Sequence, residues 1–508
     1  MSHHLDDTVA SLDRRSRRDL LRRAALGAAG LGATALLAAC GASATSSATT
    51  GAATSSAAGS AATTKAATST AATASAANSA VPPTATLPPA AHVGTGTEIR
   101  WQFRGSPAEL NGAQLTLTKS FVPANPKIKV TIEPAPASRD EKLIAQMVAG
   151  DPPDVFETWG DNVQQFAEKG QVVDVNSLVD KSKMDISDFY QWQWRDFNIP
   201  LKGGPKLGGT LIRFGLPKYV NVMVLWVNKD MFQQKGQALP TVDWTHNEYA
   251  DAMRKLTVME NNKIKVGGAR IPMDSWDRYW YRVYMWGGFD ADPNDPTKSD
   301  LGAKEAQDAF EWARKLAWDE KVLLIPLSGM PQVSGDRFFS GQYAINEDGF
   351  YPFSMAKNNS STKINWEYAH VPKGPVKREV LGTTDGFSMS KQAQHPDEAW
   401  TLLQYLSGVD YQTAQVETTG LLPVRNSVLA NWKTICIKQY PELEQVNLDV
   451  GAQAMQMGYP GNRNFFKNTT AAQELINPAL QKVFDVGQTP VTYFQQVSDQ
   501  VTQNEKSS

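Results

Sequence analysis

Residues 42–91 are almost wholly alanine, serine and threonine, and they close on Val81-Pro82-Pro83 and Leu87-Pro88-Pro89. Such a stretch has too little apolar surface to offset the entropy of ordering it. It is expected to be a flexible tether that stiffens toward its prolines. Its Ser/Thr density beside proline also permits O-glycosylation. The fold is thereby confined to the residues beyond the tether. Of the 508 residues, those from Glu98 onward still suffice for two or three domains' worth of core. The formal net charge is −2, so nothing points to a nucleic-acid partner. The two cysteines, Cys40 and Cys436, and six scattered histidines give neither a disulfide framework nor a zinc site.

Ahead of the tether the chain reads as an address. Residues 14–23 are RRSRRDLLRR, and a small-residue apolar run leads from Ala24 to Ala39 and then to Cys40-Gly41. A basic segment followed by so short an apolar one reads as a signal peptide rather than a spanning helix. Ser16-Arg17-Arg18-Asp19-Leu20-Leu21-Arg22 resembles the twin-arginine (Tat) export motif. Leu37-Ala38-Ala39-Cys40 resembles a bacterial lipobox, which implies that Cys40 is lipidated. Export of a folded chain would leave Cys436 without an oxidising partner, so it reads as a small buried apolar residue.

The body alternates. Residues 98–103 (EIRWQF) and 127–132 (KIKVTI) read as strands, residues 108–121 and 141–148 as helices, and Val155-Phe156 enters a third strand. This order predicts an α/β fold with a largely parallel sheet. Residues 214–232, FGLPKYVNVMVLWVNKDMF, hold a β-branched run bounded by turn residues, which reads as a buried strand. Helices are expected at 247–256 and around Ala306 to Ala317, a short strand at 387–390, a helix from Pro396, and a helical C-terminal third.

These anchors resemble the family-1 extracellular solute-binding proteins of ABC importers, the group that includes maltose-binding protein. The matching pieces are Gly150-Asp-Pro-Pro-Asp154-Val, Phe166-Ala-Glu-Lys-Gly170, Leu216-Pro217 followed by Asn228-Lys229-Asp230-Met-Phe232, Phe338-Phe-Ser-Gly341-Gln-Tyr-Ala344, the run 382–391 with His395-Pro-Asp-Glu-Ala-Trp400, and Gly420-Leu-Leu-Pro423. Their order across residues 150–423 makes them specific together. Val227 departs from the family's usual Tyr, and segments 203–210 and 290–300 look like insertions. The resemblance implies a two-lobe periplasmic-binding-protein-like fold (type II), with mixed sheets flanked by helices, crossing strands, and hinge closure on a ligand. It divides the chain into a Tat-type lipoprotein signal peptide (1–39), a tether (40–96), lobe one (97–219 and 383–430) and lobe two (220–382 and 431–508). The first crossing would lie near 218–222 and a third near Asn431.

A sugar needs flat rings to stack on and polar groups for its hydroxyls. Trp101 ends the first strand, where α/β sheets present ligands. Trp159 and Asp161 follow the Pro-Asp-Val strand. The resemblance adds Asn221 on the crossing, Trp280, Phe350 and Tyr351. Asp385 lies on the return crossing, and Tyr459 and Arg463 lie in a Gly/Pro-rich loop that could cap a cleft. Asp154 reads as structural, and Trp276, Trp286, Trp312 and Trp318 as core. No catalytic residue, metal or cofactor is expected. The expected protein is a monomeric lipoprotein at the outer face of the membrane, held there by Cys40. It would capture a carbohydrate and pass it to ABC permease subunits. A surface hydrolase with paired carboxylates, a non-sugar binder and a sensory receptor are the competing readings.

Overall fold

A computed structural model describes residues 88–507 except 136–138, 160–162, 164–165, 168, 201–210, 274–275, 325–333, 457–465, 467–468, 485–486 and 488. Cys40, the tether, Asp161, Tyr459 and Arg463 therefore lie outside the described residues. The protein is built on one sheet of eleven strands. In chain order these are β1 (Ala91–Gly94), β2 (Thr97–Phe103), β3 (Ile128–Pro134), β4 (Val155–Trp159), β5 (Leu216–Asn228), β6 (Val258–Glu260), β7 (Lys263–Arg270), β8 (Leu323–Leu324), β9 (Tyr343–Gly349), β10 (Trp366–Ala369) and β11 (Gly382–Met389). Their spatial order is β1-β3-β2-β4-β11-β5-β9-β7-β8, with β10 on β5 and β6 on β7.

β1 to β4 and β11 join the sheet through the first half of β5 and β6 to β10 through its second half; these two sets are termed the first and second lobes. The expected parallel core is present: β2 runs parallel to β3 and β4, and β9 and β8 parallel to β7. The sheet is nevertheless mixed, because β11 is antiparallel to β4 and to β5.

β5 joins the two halves. Its thirteen residues form one uninterrupted strand rather than two strands around a bend. Residues 216–222, except Lys218, pair with β11. From Met223 the strand pairs with β9, and from Leu225 also with β10. The Val, Leu and Trp run suits a strand buried on both faces. Val220, Val222, Val224 and Trp226 enter one core cluster, while Met223, Leu225 and Val227 enter another. The first core thus continues along one face of the sheet past the crossing.

The flanking helices follow their local signals. The Pro107–Thr116 helix opens on a Ser106/Glu109 capping box and continues through a wider turn at Leu117–Phe121. The His246–Leu256 helix opens on a Thr245/Glu248 box and buries Tyr249, Met253 and Leu256. Asp154 is structural, its carboxylate accepting the Arg100 N–H at 2.8 Å. Trp276 is fully buried, whereas Trp286 and Trp312 are partly buried against the second core. Cys436 is buried, and burial pushes its thiol up to about 12. The 290–300 segment forms a small ribbon, Ala291–Asp292 against Asp295–Ser299. Asn431 lies inside the Asn426–Gln439 helix. The later segment that runs beside the crossing is Leu421 to Val424, where the Val220 N–H bonds the Leu422 carbonyl at 3.0 Å.

Candidate functional site

Along β5 before Met223, Tyr219 and Asn221 are the two residues not fully buried. They sit two apart and so share a face of the strand. On that face each lobe contributes the carboxyl ends of parallel strands, the usual ligand end of an α/β sheet.

On the first lobe, Arg104 follows the last residue of β2, and Trp159 ends β4. Asp385 of β11 lies in register with both Trp159 and Tyr219. Its carboxylate accepts the Arg104 guanidinium and, at 2.5 Å, the Tyr219 hydroxyl. Burial, then the Asp385 carboxylate, push the Tyr219 phenol well above its ordinary value, so it remains a neutral donor. Arg104 keeps 39% of its side chain exposed while Asp385 keeps 7%. A buried carboxylate therefore holds the guanidinium of a partly exposed arginine.

On the second lobe, Arg270 ends β7 and Asp348 lies next to the end of β9. Arg278, on the Trp276–Met285 helix, reaches Asp348 Oδ1 at 3.0 Å, and Arg270 reaches Oδ2 at 3.5 Å. Asn221 accepts the Phe350 N–H at 2.9 Å. Burial raises the Tyr351 phenol, whereas hydrogen bonds to Asn221 and Arg278 pull it back. Asn221, Tyr351, Arg278 and Asp348 thus form one connected polar group.

Three of the residues expected from sequence, Asn221, Tyr351 and Asp385, belong to these groups, and Trp159 ends β4 in register with Asp385. Three others are core side chains in this conformation. Trp101 is fully buried and packs edge-on to Phe103 at 5.3 Å and to Phe387 and Tyr411 at 6.1 Å. Trp280 is 2% exposed and meets Tyr284 at 5.1 Å. Phe350 is buried between Tyr368 at 4.5 Å and Trp432 at 5.7 Å. Sequence reasoning missed Arg104, Tyr219, Arg278 and Asp348. Period-two alternation from Asn221 gives Tyr219 directly. Arg104 and Asp348 stand at strand ends, but the arginine on the helix had no local signal. Among the described residues no group of His, Cys, Asp and Glu could hold a metal ion.

The set brings planar guanidinium forks, carboxylates, an amide and phenols to the two flanks of the crossing strand, groups able to donate and accept hydrogen bonds. Residues 108–413, more than half of the chain, match the model of the bacterial extracellular solute-binding proteins. The chain belongs to that family. A binding protein of Brucella abortus (strain 2308) is 23% identical over 212 residues, 42% of this chain and 50% of the relative. The chain thus spans about half the length of the curated relatives it matches. Among solved structures, an ABC substrate-binding protein of Listeria monocytogenes in complex with cycloalternan aligns with a TM-score of 0.67 at 23% identity, covering 80% of this chain and 99% of that one. The GacH receptor of Streptomyces glaucescens, solved free and with acarbose, aligns at 0.65 and 17% over 81% and 98%. UgpB of Mycobacterium tuberculosis, in complex with glycerophosphocholine, aligns at 0.64 and 15% over 80% and 99%. These likenesses establish the two-lobe binding-protein fold. Among the described residues no helix is long and apolar enough to cross a membrane.

Proposed function

We propose that the protein is an extracytoplasmic solute-binding lipoprotein of an ABC importer. It captures a carbohydrate, an oligosaccharide, between its lobes by hinge closure and delivers it to the permease. One observation carries this reading. The crossing strand presents Tyr219 and Asn221 side by side, with Arg104 and Asp385 on one flank and Arg278, Tyr351 and Asp348 on the other. Such groups satisfy sugar hydroxyls in both directions, as donors and acceptors, and phenol rings offer apolar faces. The sugar-bound relatives support the same reading. Ser16 to Arg22 and the lipobox-like segment at Cys40 support Tat export and a lipid anchor, with the tether spanning the gap to the membrane.

The test is calorimetric titration of the purified protein with cycloalternan, maltotriose, mannotriose and glycerophosphocholine, together with mass spectrometry of any co-purified ligand. Saccharide binding that Asp385→Asn weakens is the expected result. Binding of glycerophosphocholine or an amino acid with no saccharide binding overturns the carbohydrate reading. Labelling with a radioactive fatty acid that survives Cys40→Ala overturns the anchor.

A further inference from the structure

The register between β5 and β11 slips by one residue opposite the Asp385-Gly386 step, and Lys218 is left without a partner on β11. This is a β-bulge at the crossing. Its carbonyls are held from outside the sheet. Ser407 Oγ donates to the Pro217 carbonyl at 2.9 Å, and Gln412 Nε2 to the Lys218 carbonyl at 2.6 Å. The same Gln412 accepts the Val424 N–H at 3.1 Å through its Oε1.

The bulge sends the Lys218 side chain inward. Its ammonium donates to Glu157 Oε2 at 2.6 Å and to the Arg104 carbonyl at 3.2 Å. Lys218 and Glu157 are 1% and 2% exposed. The rings of Phe103, Tyr219 and Phe387 lie within 5.8 Å of the ammonium. Glu157 Oε1 has no hydrogen-bond partner. Burying such a pair costs the fold several kcal/mol per ion before attraction repays it, and apolar residues of similar size often serve stability as well. A role in shaping the cleft accounts for its presence.

We propose that Lys218 is a positioning residue for the cleft floor. Anchored by Glu157, it holds the Arg104 backbone where the guanidinium reaches Asp385 and faces the ligand. This rests on the reading of the cleft as the ligand site. The arrangement also answers to protons. Burial pushes Glu157 up to about 7, against the pull of Lys218 and Arg104, with Asp385 adding to the push. The groups facing Glu157 are Lys218 from β5, Arg104 after β2, Asp385 from β11 and Tyr411 from the Val409–Thr419 helix. Protonating Glu157 removes the counter-charge of Lys218, and the hold on Arg104 slackens as pH falls through about 7.

Two measurements on the full chain in detergent test this. The first is hydrogen exchange by mass spectrometry, corrected for intrinsic rates, on peptides covering residues 101–106 and 216–222, and it needs no ligand. An opening that exposes Glu157 lets its proton go, so protection should rise several-fold between about pH 8 and about pH 6. In the charge-free Lys218→Met/Glu157→Gln variant it should be flat, while peptides of the second lobe stay unchanged. A pH profile identical in wild type and variant overturns the positioning role. The second is calorimetry with maltotriose. Affinity should fall about tenfold over the same range in the wild type and show no slope in the variant. Equal slopes overturn the link to binding. If none of the saccharides titrated above binds at any pH while exchange behaves as expected, the carbohydrate reading fails and the positioning claim stands.

Discussion

Each lobe buries an ion pair near the aspartate that joins its arginines, Asp385 or Asp348, and the two pairs are built differently. In the first lobe Lys218 meets Glu157 at the bulge of the crossing strand, and the same lysine touches the backbone of Arg104. In the second lobe Arg282 meets Glu347, both fully buried, between the Trp276–Met285 helix and β9. The Tyr281 hydroxyl also donates to Glu347, and the guanidinium lies 5.1 Å from the Trp312 ring. The first pair uses a compact ammonium that reaches backbone; the second uses a flat fork wedged among rings. One sits on the element that both lobes share. The other fastens a helix to a sheet within a single lobe. Similar chemistry thus sits on the shared strand in one case and inside a single lobe in the other.

The largest expected effect comes from breaking the rigid pair. Arg282→Met leaves Glu347 buried without its cation and should cost about 3–5 kcal/mol of stability, read as a shifted denaturant midpoint. Arg282→Met/Glu347→Gln should recover most of that loss. If it recovers none, the guanidinium acts by packing on Trp312 rather than by charge. Gly386→Ala strikes the bulge next. A Cβ there would run into the Phe197 ring and lie 2.8 Å from the Leu216 carbonyl. A loss of about 1–3 kcal/mol by overpacking is expected, with ligand affinity falling as well; unchanged affinity would uncouple bulge and cleft. Asp385→Asn should weaken ligand binding by about 2 kcal/mol with little change in the melting temperature. Thr245→Ala removes the cap of a helix in the second lobe and should cost about 1 kcal/mol without touching affinity.

Burial raises the carboxyl of both pairs, Glu157 to about 7 and Glu347 to about 8. The Glu157 carboxyl has a raised folded-state value, so between its ordinary 4.5 and about 7 the folded chain holds a proton that the unfolded chain has released. Its contribution to stability therefore declines as pH rises through that window. Glu157→Gln should flatten this part of the stability profile in chemical denaturation; an unchanged slope would place the titration elsewhere.

Much of the architecture was legible because it rests on local patterns. Glu98 to Phe103 alternates, the acids after Pro396 mark a helix start, and the run after Pro217 is too apolar for an edge. The family motifs added the lobes and the crossing. The misplaced elements have physical causes. No turn residue after Pro217 breaks the run, so the crossing expected near 218–222 is one continuous strand with a register slip opposite Asp385-Gly386. The family resemblance puts a crossing at Asn431, but its neighbours have helical spacing. In the site, Asn221 and Asp385 were accessible because they lie on crossings. Trp101 and Trp280 misled because an aromatic near a strand end suits a core as well as a sugar; only burial distinguishes them. Arg278 and Asp348 meet through folding alone, seventy residues apart in the chain.

The unbroken β5 has a consequence for how the molecule comes apart. Its amides are shared between hydrogen-bond ladders of both lobes, and one core runs along its even-numbered face from Val220 to Trp226. Fraying either ladder exposes the side chains that support the other. The lobes should therefore melt as one cooperative unit, and neither half expressed alone should hold a stable fold. The proposed closure would have to twist a strand that never lets go of either side.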